Sequence, residues 1–226
     1  MKKFAIIAEG ITDQIIIDDI LAGHFKSDDL NINWFQPSRD ETDKNKSGNY
    51  GGWSQVFEHC KPEILRKAFQ LHEYIIIQID TDVSDEHYDV PHQDENGEFS
   101  PKQLIEKVIE KFKTIIGEEF YNKYQERIIF AIAVHSTECW LLPLYYTDNK
   151  KSKIKSCLST LNQALSKEDF TIDPNNKKPE RYRSISHKYC KHKTLANSYK
   201  KNPSFKIFIE EIEKRNITIE RDEEEN

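Results

Sequence analysis

Apolar residues in this chain come in short blocks, and two spacings alternate along it. The runs KFAIIA (3–8), LNINWFQP (30–37), YIIIQID (74–80) and RIIFAIAV (127–134) are brief, β-branched and bounded by turn or polar residues, which predicts strands. The run at 74–80 is continuous enough to be covered on both faces, so it is expected to be the most central. Between the runs the spacing becomes helical. Ile16, Ile17, Ile20 and Leu21 share one face of a helix that starts near Thr12 or Asp13, either of which can act as N-cap. Residues 53–69 read as helix with a break or new start at Pro62. Ser100-Pro101 opens a helix to about residue 116.

Strands and helices alternate through residue 134. That order predicts an α/β fold with a mostly parallel four-stranded sheet flanked by helices. Residues 38–52 (SRDETDKNKSGNYGG) read as a polar loop, and 82–99 as an acidic loop. STECWLLPLYY, after the fourth strand, turns into a short helix whose Trp140, Leu141 and Leu142 belong to the core. Short helices are expected at 153–166 and 204–215. The boundaries are a catalytic unit at 1–148 and a small helical, basic C-terminal extension at 149–226 packed on it, with an acidic tail at 220–226.

With 226 residues the chain can hold one large domain or one domain and an appendage. Its net charge of −6 excludes a wholly basic, histone-like binder. No stretch approaches the roughly 18–20 apolar residues of a membrane helix. The apolar run after Met1 stops at Glu9, so it reads as a strand and not a leader, and a cytoplasmic protein is expected. Cys60, Cys139, Cys157 and Cys190 are scattered, without a CxxC pair, and no disulfide is expected.

Carboxylates change the picture. Glu9 follows the first strand, Asp80 and Asp82 the third, and Glu138 the fourth, while Asp13 falls on the first turn of the first helix. Working groups of parallel sheets gather beyond the carboxyl ends of the strands. Like charges brought together there must protonate or share a cation, and an all-oxygen ligand set suits Mg²⁺ or Mn²⁺.

The stretches AIIAEGITDQIII, IIIQIDTD and STECWLL together resemble the toprim domain shared by topoisomerases, primases and nucleases of the overcoming-lysogenization-defect type. The EGxTD and ExWLL forms are most similar to small stand-alone toprim proteins of bacterial defence loci, often encoded beside an ABC-type ATPase. The resemblance covers roughly residues 3–145 and implies a Rossmann-like toprim fold. It also implies a metal-dependent nuclease that cleaves DNA or RNA in anti-phage defence. By that resemblance Glu9 is a general acid/base or metal ligand, and Asp80 and Asp82 hold the ion. Asp13 and Glu138 stand where nuclease-type members carry further acidic residues, a second ion among the options. An ATPase partner is implied too, since this chain has no GxxxxGK[ST] loop. Assembly with copies of itself stays open. Two rivals stay open as well: a nucleotide phosphohydrolase or nucleotidyl transferase with the same site, and a non-catalytic regulatory subunit.

Residues 177–201 carry nine Lys/Arg against Glu180 alone, with Tyr182, Tyr189 and Tyr199 interleaved. This pattern suits phosphate contact, with Arg181, Arg183, Lys188, Lys191 and Lys193 the candidates. Lys191 or Lys193 is favoured for a cleaved phosphate. His187, Cys190 and His192, taken with His135 and Cys139, match no strong zinc spacing. His135 reads equally as a neighbour of the active site or a core-edge histidine.

Overall fold

The computed structural model describes residues 3–39 and 51–219. Most of the expected polar loop, 40–50, and the acidic tail 220–226 lie outside the described residues. The apolar runs form β1 (Lys3–Ile7), β2 (Asn31–Gln36) and β3 (Tyr74–Asp80), linked by α1 (Ile11–Phe25), α2 (Trp53–His59) and α3 (Pro62–Leu71). Helix α1 starts before either expected cap: Gly10 is the N-cap, without a side-chain bond, and Thr12 and Asp13 lie buried in the first turn. Pro62 occupies the first turn of α3, which accounts for the break read there.

The acidic stretch 82–99 is more ordered than its sequence suggests. It holds the single turn α4 (Ser84–His87) and a hairpin of β4 (Gln93–Asp94) and β5 (Gly97–Glu98). Then come α5 (Pro101–Ile116), α6 (Glu118–Tyr124) and β6 (Ile128–Ala133). Ser100 and Gln103 close a reciprocal capping box at the start of α5.

The main sheet has the order β2-β1-β3-β6, and every pairing in it is parallel. The chain runs outward from β1 to β2, then returns past β1 to β3. The order therefore reverses between β1 and β3, and such a switch point opens a crevice beyond the strand ends. Alternation along the strands sends Phe4, Ile6, Ala8, Ile76, Ile129, Ala131 and Ala133 into one core. Ala5, Ile7, Ile75, Ile77, Ile79, Phe130 and Ile132 enter the other, beneath α2, α3 and α5.

The C-terminal extension completes the first of these cores. After α7 (Glu138–Leu141) of the first unit, its helices are α8 (Cys157–Leu165), α9 (Pro179–Ser186), α10 (His192–Ser198) and α11 (Pro203–Glu213). Tyr182, Ile185, Tyr189, Leu195, Phe205 and Phe208 join Ile16, Ile17 and Ile20 of α1 in one buried cluster. Trp140 lies stacked on Phe205 and Phe208, with ring centroids 5.3 Å away in each case, and its Nε1 donates to Ser204 Oγ at 2.9 Å. The basic segment is thus two helices and a turn, with apolar residues inward and most of its lysines outward.

One expectation is overturned. Cys139 and Cys157 form a disulfide, with Cα atoms 4.9 Å apart. Their separation of 18 in sequence conceals it; packing of α7 on α8 brings them together. Cys60 and Cys190 are free.

Helix α1 and the 3₁₀ turn His187–Cys190 approach so closely that a Cβ at Gly23 would stand 1.9 Å from the Tyr189 carbonyl oxygen. Neither backbone can yield cheaply. Gly23→Ala is expected to lower unfolding free energy by about 1–3 kcal/mol, measured by chemical denaturation. Unchanged stability would mean that this contact does not seat the extension.

A candidate metal centre at the carboxyl ends of β1 and β3

Glu9, Asp13, Asp80 and Asp82 line one open cleft of about 450 Å³, together with Gly10, Gly52 and Lys177. The cleft lies at the switch point. Four carboxylates from two separate stretches of chain, 9–13 and 80–82, therefore converge as the sequence predicts.

Gln78 sets the frame. Ile76, Gln78 and Asp80 alternate onto the same side of β3, and Gln78 is fully buried. Its Oε1 accepts the Glu9 N–H at 3.0 Å, and its Nε2 donates to Asp80 Oδ1 at 2.8 Å. In return the Asp80 N–H donates to Glu9 Oε1 at 2.7 Å. Thr137 N–H donates to Asp80 Oδ1 at 3.2 Å, and the Thr137 hydroxyl donates to Asp13 Oδ1. One oxygen of each of these three carboxylates is pinned, which fixes where the other points. Backbone builds the walls: Gly52 N–H donates to the Glu9 carbonyl at 2.8 Å, and Gly51 passes so near that a Cβ there would stand 2.3 Å from the same oxygen.

Asp82 is the exposed member. Its N–H and that of Thr81 both donate to the carbonyl of His135, at 3.1 and 3.0 Å, and His135 has φ +62°. His135 thus supports the site through its backbone, while its ring faces His92 at 5.5 Å.

Glu138 is 2% exposed and stands behind the cleft. Lys177 Nζ and the Tyr182 hydroxyl both donate to its Oε1, at 2.8 and 2.6 Å. Burial alone would raise the Glu138 carboxyl, but the Lys177 charge and these hydrogen bonds hold it below its ordinary value. Lys177 in turn is held as an ammonium: burial works against the charge, and Glu138, Asp13 and Asp80 outweigh it. The other acids move the opposite way. Burial first, then the Asp13 and Asp82 charges, pushes Glu9 up to about 8 against the Asp80 hydrogen bond. Asp13 is pushed up to about 6, by burial and then by Glu138. Asp80 is raised well above its ordinary value by burial and by Asp13, Glu9, Glu138 and Asp82. Carboxylates gathered in this way either keep protons or share a cation.

Lys177 enters the cleft, whereas exposed Lys191 and Lys193 lie beside the far end of α1, where His192 Nδ1 faces the Gly23 carbonyl. That end is about 15 Å along the helix from Asp13. Arg183 is engaged by Asp18, at 2.9 Å, and Asp19. Arg181 lies over the Phe170 ring at 4.9 Å and Lys188 over Tyr145 at 4.3 Å. Gln78, Thr137, Lys177 and Tyr182 went unrecognised as site residues. For Gln78 a signal was present: a polar residue inside an isoleucine run, two places before Asp80 and so on its face.

Comparison with protein-family models, curated proteins and solved structures finds no match.

The raised acids make a pH prediction for the metal-free protein. Glu9 moves from an ordinary 4.5 to about 8, so the folded state binds that proton more tightly than the unfolded chain. The associated stability is complete below 4.5 and disappears as pH rises through about 8. Asp13 acts in the same direction between 3.8 and about 6. Glu138 has the opposite sign, and its loss is confined to pH below 4.5. Thermal midpoints measured in a chelator should fall between pH 4.5 and 8, less so in Glu9→Gln, and Mg²⁺ should flatten the curve. A flat chelator profile would contradict this electrostatic picture.

Proposed function

We propose that this chain is a Mg²⁺- or Mn²⁺-dependent phosphodiesterase of the toprim type, an endonuclease acting on DNA or RNA. The observation that carries the reading is the Glu9–Gln78–Asp80 frame. It fixes two carboxylates from neighbouring strands against each other, beside Asp13, Asp82 and a charged lysine. The donors are all oxygen, as hard divalent ions require. Glu9, Asp80 and Asp82 would hold the ion, with Asp13 at the margin. A bound ion would supply Lewis-acid stabilisation of charge on phosphate oxygens and lower the pKa of a water.

The chain's own residues do the rest. Glu9 would either ligate the ion or, left free beside it, take the proton of the attacking water. Lys177, kept charged by Glu138, Asp13 and Asp80, pairs with a non-bridging phosphate oxygen. Exposed Lys191 and Lys193 offer the polymer backbone further contacts. The anti-phage setting, an ABC-type ATPase partner and a cytoplasmic location belong to the proposal on the strength of the resemblance. Among the described residues no helix is long and apolar enough to cross a membrane.

The test is incubation with plasmid DNA, single-stranded DNA and tRNA, with and without Mn²⁺. Cutting is expected only with metal and is expected to be lost in Asp80→Ala. Lys177→Met should cut about 10²–10³-fold more slowly while its Mn²⁺ affinity stays within a few-fold. Equal cutting by wild type and Asp80→Ala would refute the assignment. Turnover of mononucleotides without polymers would replace it with a nucleotide phosphohydrolase or transferase. Absence of Mn²⁺ binding by calorimetry would replace it with a non-catalytic subunit.

A further inference from the structure

A second group of ligating side chains converges where the extension crosses α1. Asp19 comes from α1, and His187 and Cys190 come from the 3₁₀ turn after α9. Cys190 Sγ lies 3.3 Å from Asp19 Oδ1 and 3.4 Å from His187 Nδ1, and that nitrogen lies 3.9 Å from the same oxygen. In a tetrahedral zinc site with bonds of about 2.0–2.3 Å, ligand atoms stand about 3.3–3.8 Å apart. The three separations therefore approximate one face of such a tetrahedron. We propose that Asp19, His187 and Cys190 form a zinc site distinct from the carboxylate cleft, with its fourth position open to solvent.

The surroundings fit this assignment. Asp19 is 2% exposed, and His187, at 72%, leaves the site reachable from outside. Arg183 Nη1 donates to Asp19 Oδ1 and Ser186 Oγ to Oδ2, the kind of outer partners that orient a ligating carboxylate. The Arg183 charge is shared with Asp18 at 2.9 Å, so the ion, the thiolate, both aspartates and the guanidinium balance. Thiolate and imidazole favour zinc over magnesium, which separates this site chemically from the cleft. A nucleophilic cysteine is the poorer reading. Burial, then Asp19, pushes the thiol up to about 12, away from the range of a nucleophilic thiolate. Zinc binding at neutral pH releases that proton. The sequence hid the site because its third ligand is 171 residues from Cys190, while His192 turns to the Gly23 carbonyl and Cys139 is in the disulfide.

The experiment titrates Co²⁺, then Zn²⁺, into the chelator-stripped full chain in saturating Mg²⁺. Wild type is expected to develop a thiolate-to-cobalt charge-transfer band at about one equivalent, displaced by Zn²⁺. Asp80→Ala should keep the band. Cys190→Ser and His187→Gln, both accessible positions, should weaken Zn²⁺ at least about 10-fold and keep the wild-type thermal midpoint in chelator. Zn²⁺ should raise that midpoint in wild type alone. Cys60 is buried and Cys139 and Cys157 are bonded, so a band that survives Cys190→Ser overturns the proposal. So does the absence of any band, or an unchanged Zn²⁺ affinity in both variants.

Discussion

Repulsion among Glu9, Asp13, Asp80 and Asp82 is the constraint under which the rest of the molecule is arranged. Each acid alone would relax toward water. Here the ends of β1 and β3 are locked by parallel pairing from Phe4–Tyr74 to Ile7–Ile77, and Gln78 bridges the two strands just beyond that ladder. The isoleucines on either side of Gln78 bury the strand on both faces. Hydrophobic burial, which is favourable and non-directional, thus stabilises a polar geometry that is unfavourable by itself.

The extension answers the same constraint from the other side. It supplies Lys177 and, through α9, Tyr182, and both converge on Glu138. Glu138 is thereby satisfied as an anion while its neighbours are pushed toward protonation. Two populations of acid coexist in one neighbourhood, separated by whether an ammonium and a hydroxyl reach them. Because Tyr182 is also core, joined to α1 through the shared apolar cluster, removing the extension would expose one face of the sheet and strip the site of its cation together.

The strands, the parallel order and the acids after them were legible in sequence, because continuous isoleucine runs and period-2 alternation are local signals. Asp13 was legible as an acid on the first turn of α1, but the cap there is Gly10, and the helix begins two residues earlier than a Thr12 cap implies. What stayed hidden was non-local. Lys177 is one lysine among nine Lys/Arg in its segment, and nothing in the segment marks it as the one that folds back 39 residues to Glu138. The Cys139–Cys157 bond follows from packing α7 against α8, which spacing does not encode. Helices α9 and α10 were obscured by their charge, since a basic run reads as solvated surface until the buried Tyr182, Ile185, Tyr189 and Leu195 are placed.

Helix α1 ties these threads together. Its first turn presents Asp13 to the cleft, where the positive end of the helix dipole favours an anion. One face of its middle is apolar and seats the extension. Asp18 and Asp19, at its midpoint, hold Arg183. About 9 Å of rigid helix, from Asp13 to Asp19, therefore links an all-oxygen pocket to a cluster containing sulfur and imidazole. The donors of these two places differ in kind as well as in position. If an ion at Asp19 holds α9 down, it also holds Tyr182 against Glu138, and through Glu138 it holds Lys177 in the cleft. Coupling of that sort needs no motion of the sheet. It needs only that the extension and α1 share one seam, as the close approach of Gly23 to Tyr189 shows that they do.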